Sequence, residues 1–99
     1  MNLVVEGASG TITVTTATLV SLVAQAAESV DGVRIRRGRR HVDVAVADGR
    51  ARVSLDLVAR YGEVLPERAR RVQEEVTDAL ATMCGLIVEA VDVEVEEIE

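Results

Sequence analysis

"HVDVAVADGRARVSLDLVAR", residues 41–60, decides the fold. Val42, Val44 and Val46 share one side of an alternating run. Val53, Leu55 and Leu57 share one side of the next, against Arg52, Ser54 and Asp56 on the other. Alternation with a period of two marks a strand with one buried face. Between the runs stands Asp48-Gly49, a two-residue turn signal in which both positions tolerate positive φ. The stretch predicts an antiparallel hairpin with an aliphatic side and a polar side. Such a sheet needs a second layer over its aliphatic side.

Two helices can supply that layer. In "TTATLVSLVAQAAESV" (15–30), Leu19, Leu22, Val23, Ala26 and Val30 recur at helical spacing. Thr15 or Thr16 can cap the first turn by accepting an orphan backbone N–H. Asp31-Gly32 ends the helix, with glycine taking the left-handed turn. A second helix opens at Pro66, with Glu67 near the positive end of the helix dipole. Its stripe is Leu65, Ala69, Val72, Val76, Ala79/Leu80 and Met83, with Gly85 as C-cap. Tyr61-Gly62 closes the strand before it. Two outer strands complete the pattern. "TITVT" (11–15) alternates, and in "VEAVDVEVEEIE" (88–99) Val91, Val93 and Val95 oppose Asp92, Glu94 and Glu96.

The order is βαββαβ, and the second helix crosses over to a strand parallel to the one before it. The fold class this implies is α+β: a two-layer sandwich with a mostly antiparallel sheet and two helices on one face, of ferredoxin-like type. Residues 1–99 make a single domain, with 1–9 as a flexible lead-in. No repeat, linker or low-complexity tract interrupts it.

The core must be aliphatic, because the 99 residues include no Phe, no Trp and one Tyr. An apolar fraction of 48% and a mean hydropathy of +0.22 argue against disorder. The N-terminus lacks the basic and apolar regions of a secretory signal, and no run approaches the ~18 apolar residues of a membrane span. The expectation is a cytoplasmic protein with no direct membrane insertion. Cys84 is the single cysteine, which excludes an internal disulfide and reads as a small core filler.

An enzyme needs a converging set of groups with tuned acidity. His41 is the sole histidine, and one histidine with one distant cysteine does not make a zinc site. No serine or cysteine sits in a nucleophile motif. "GASG" at 7–10 is too short for a phosphate loop and leads into a strand, not a helix. No catalytic residue, metal site or cofactor is expected.

What stands out is "RIRRGRRH" (34–41), with five arginines in a chain of net charge −6. Nucleic-acid binding is the obvious reading, through phosphate contacts. It is disfavoured, because the overall field is negative and no aromatic interleaves the arginines for base stacking. It stands as the alternative function: a weak nucleic-acid contact through the cluster at 34–40. The charges are also segregated. Residues 31–52 carry seven Arg against three Asp, while 86–99 carry six carboxylates and no base. Arg34, Arg36, Arg37, Arg39 and Arg40 are therefore candidate docking residues for an acidic protein surface, with Glu94 and Glu96 as candidates on the opposite block. Pairing between copies would give a weak homo-oligomer.

An ordered series of short motifs carries a resemblance. "GTITV" at 10–14, "DGV" at 31–33, "DG" at 48–49, "YG" at 61–62, "VQ" at 72–73 and "GL" at 85–86, followed by alternating valines, resembles the alkaline shock protein family of envelope stress proteins. The match runs from about Gly10 to Ile98. The resemblance implies a non-enzymatic protein of Gram-positive bacteria, acting in envelope stress response and cell-envelope homeostasis. It also implies an integral-membrane anchor partner and family paralogues as partners, holding a cytoplasmic protein at the inner membrane face. It carries over no catalytic residue. The dense arginine set is not a family signature.

Overall fold

The computed structural model describes residues 2–7, 10–35, 41–60 and 65–98. The hairpin at its centre is β4 (Val42–Ala47) and β5 (Arg50–Arg60), joined by a turn in which Asp48 and Gly49 take φ of 52° and 74°. Val44, Val53, Leu55 and Leu57 are buried, as the alternation requires. β5 is the central strand. One of its edges holds β4 and the short β3 (Val33–Ile35), both antiparallel. The other holds β6 (Ile87–Ile98), parallel, which makes the β5–helix–β6 crossover the expected one.

Both helices cover the same face. α1 (Thr16–Glu28) starts at Thr15, whose Oγ1 accepts the Thr18 N–H at 3.2 Å. It buries Leu19, Val23 and Ala27, while Leu22 and Ala26 are half-buried. The turn after it places Gly32 at φ 81°. α2 (Leu65–Cys84) buries Val72, Val76 and Leu80 completely. Each such aliphatic side chain contributes roughly 1.5–3 kcal/mol relative to exposure. Gly85, at φ 66°, ends α2 and donates its N–H to the Ala81 carbonyl. Gln73 donates its side-chain amide to the Val91 carbonyl and so ties α2 to β6. The result is the ferredoxin-like α+β sandwich, with aliphatic side chains filling the space between its layers.

Three details depart from the sequence pattern. The strand at 11–15 is β2 (Gly10–Thr15), and it lies outside the four-stranded sheet. It pairs with β1 (Asn2–Gly7), in a stretch to which the sequence pattern assigns no strand. Alternation reveals a strand but not which sheet it joins. The second departure is β3, collinear with β4 along one edge of β5. Ile35 pairs with Leu57 and Val42 pairs with Leu55, so Asp56 alone lies between the two registers on the partner strand. The third is Met83. It falls on the expected stripe yet is 66% exposed. Tyr61-Gly62 lies outside the described residues, and β5 is described to Arg60.

Candidate functional site

The sheet face away from the helices carries no covering layer among the described residues. Its side chains follow from the strand registers and form rows across the sheet. Ala45, Arg52 and Ala90 make one row, and Asp43, Ser54 and Asp92 the next. Asp56 pairs with Glu94, and its N–H donates to the His41 carbonyl. In the row after it Val58 separates Arg34 on β3 from Glu96 on β6. Like charges on neighbouring strands repel, as at Asp56 and Glu94, so those carboxylates cost the sheet a little stability.

His41 relieves part of that. Its Nδ1 lies 2.9 Å from Asp56 Oδ2, in a half-buried position at the root of the arginine-rich segment. Beside this pair, Asp56, Leu57, Glu94, Val95 and Glu96 line a groove of about 340 Å³. At the other end of the face Arg50 Nη1 approaches Glu89 Oε2 at 3.6 Å, an exposed pair. Arg34, Glu94 and Glu96 are exposed, as the docking reading needs. Arg34 stands at one margin of the sheet, and Glu94 and Glu96 stand at the opposite margin. Arg36, Arg37, Arg39 and Arg40 lie outside the described residues.

Among the described residues Asp56 is the only side-chain partner of His41, and no group of three or more metal-ligating side chains converges. Cys84 is half-buried against the core, and burial pushes its thiol up, away from reactivity. No helix is long and apolar enough to cross a membrane among the described residues. Sequence reasoning missed the roles of His41 and Asp56. The residues are fifteen apart, and the β4–β5 register, with Val42 opposite Leu55, brings them together when it is continued by one position.

Fold and surface together define a small α+β domain with an open, charged sheet face. The chain belongs to the alkaline shock protein 23 family, of cell envelope-related function, whose model matches residues 34–99. The match begins at β3 and includes the open face. Among solved structures the chain is similar to MamM CTD. A copper form of a variant aligns at TM-score 0.58 and 21% identity, over 86% of this chain and 100% of that one. A cadmium form gives 0.56 and 23%, over 84% and 96%. A nickel form gives 0.57 and 20%, over 85% and 100%. At such identities the likeness establishes the fold alone. No curated protein matches the chain.

Proposed function

We propose that this domain is a non-enzymatic protein-interaction module of cell-envelope homeostasis and envelope stress response, working at the cytoplasmic face of the membrane through a partner. The family's envelope-related description supports the setting. One observation supports the mechanism: Arg34 and the Glu94/Glu96 pair stand on opposite margins of the sheet. Arg34, Arg36, Arg37, Arg39 and Arg40 then dock an acidic protein surface, either an anchor or paralogue or the acidic strand of a second copy. A surface with its two charges on different edges pairs head to tail. Exposed ion pairs are worth ~0–1 kcal/mol each, so the association is weak, multivalent and screened by salt.

Sedimentation velocity at low and high salt tests this. Arg36→Glu, Arg37→Glu and Arg39→Glu together should abolish self-association without unfolding the domain. Glu94→Arg with Glu96→Arg in a second protein should restore pairing between the two variants. A wild type that stays monomeric at low salt removes the self-pairing version. The alternative, a weak nucleic-acid contact through the arginines, predicts an electrophoretic shift that fades between ~50 and ~200 mM salt. Tight RNA binding that survives the higher salt would overturn the protein-docking reading.

A further inference from the structure

The two margins of the sheet differ as templates for another strand. Along the β3/β4 margin two separate strands share one edge of β5, with Ile35 opposite Leu57 and Val42 opposite Leu55. β6 pairs only with β5 among the described residues, and past a bulge at Glu89 its register with β5 runs unbroken from Ala90 to Ile98. A long free edge offers its backbone N–H and C=O groups to any extended chain. At Val91 the Gln73 amide already takes the carbonyl. Beyond it, from Asp92 to Val95, no described side chain is bonded to the strand. Here the two faces differ sharply. Asp92 and Glu94 are exposed on the open face, without an ion pair among the described residues, while Val93 and Val95 are only half-buried on the helix side. An added strand would finish covering those valines.

We infer that residues 92–95 of β6 are a docking edge for an extended protein segment that alternates basic and aliphatic residues, taken up as an additional strand. Backbone bonds supply the register, aliphatic side chains extend the cover over Val93 and Val95, and basic side chains fall beside Asp92 and Glu94. The same carboxylates reject a second β6. Two copies side by side through this edge would set acidic rows against each other, and like charges across strands are destabilising. The inference rests on the reading of the domain as an interaction module and names the segment one edge would take.

The test uses two synthetic peptides, one alternating valine with arginine and one alternating valine with glutamate, titrated into isotope-labelled full chain. Amide shifts and slowed amide exchange should centre on residues 92–95 with the arginine peptide. The glutamate peptide should bind about tenfold more weakly. Asp92→Arg with Glu94→Arg should invert that preference. Equal binding of both peptides overturns the inference, as do shifts centred on the helices or on the β3/β4 margin. So does a reversed variant that still prefers arginine. Should the variant not fold, the two peptides on the wild-type chain decide alone. Failure here leaves the module reading standing, since the sedimentation of the arginine variants judges that separately.

Discussion

At the scale of single residues, Val72 has no exposed surface, so Val72→Asp would bury a carboxylate without a partner. The cost should be on the order of 3 kcal/mol or more, while Glu74→Ala, on the exposed side of the same helix, should stay within ~0.5 kcal/mol. Equal urea midpoints for the two variants would mean the buried face of α2 is wrong. Cys84 gives a prediction in pH. Burial raises its pKa, so at neutral pH a smaller fraction is thiolate than in a free cysteine. Its alkylation rate by iodoacetamide should reach half-maximum at a higher pH than that of a small-molecule thiol. A half-maximum at or below the small-molecule value would contradict the assignment. Residue patterns made most of the core legible, because Val53, Leu55, Leu57, Val72 and Val76 need only their own period. Met83 was misread for a physical reason: spacing tells which side a residue is on, and burial also needs something opposite.

At the scale of elements, the turns carry the sharpest tests. Gly49 and Gly85 have positive φ, and a Cβ at either would meet nothing within 4 Å. Gly49→Ala and Gly85→Ala should therefore destabilise by about 1–2 kcal/mol each through backbone strain alone. Chemical denaturation would check this, and neutral outcomes would show that these turns relax. Asp48-Gly49 was readable because its geometry is local. The split of one edge into β3 and β4 was not. Alternation at 33–35 and at 42–47 does not say that both segments pair with the same edge of β5. For the same reason charge alone nominates Arg34, Glu94 and Glu96, while the opposite margins they stand on required the registers.

The whole molecule is elongated, 51 × 24 × 18 Å. The β1–β2 pair forms its own two-stranded sheet, and an isolated hairpin is marginal in water. Removing residues 1–9 should change the stability of the remaining domain by less than about 1 kcal/mol. A larger loss in urea titrations would mean that β1 supports the main core. The layering of two helices on one sheet face was legible because each helix is one-sided and each strand alternates. Sheet membership was not, since β2 carries the same pattern whether it pairs with β1 or with the main sheet.

The parallel pairing of β6 with β5 also sets a timetable for synthesis. The central strand gains its second neighbour only after α2 and then β6 have been made, since Arg50 pairs with Ile87 and Arg60 with Ile98. Until then a nascent chain displays Val53, Leu55 and Leu57 on a sheet with one edge unfilled. Non-local parallel pairings form slowly and leave such surfaces open meanwhile. The domain should thus acquire protease resistance late, after Ile98 has emerged. Stalled chains that end before Ile87 should be degraded readily and engaged by chaperones, a vulnerability that the finished fold no longer carries.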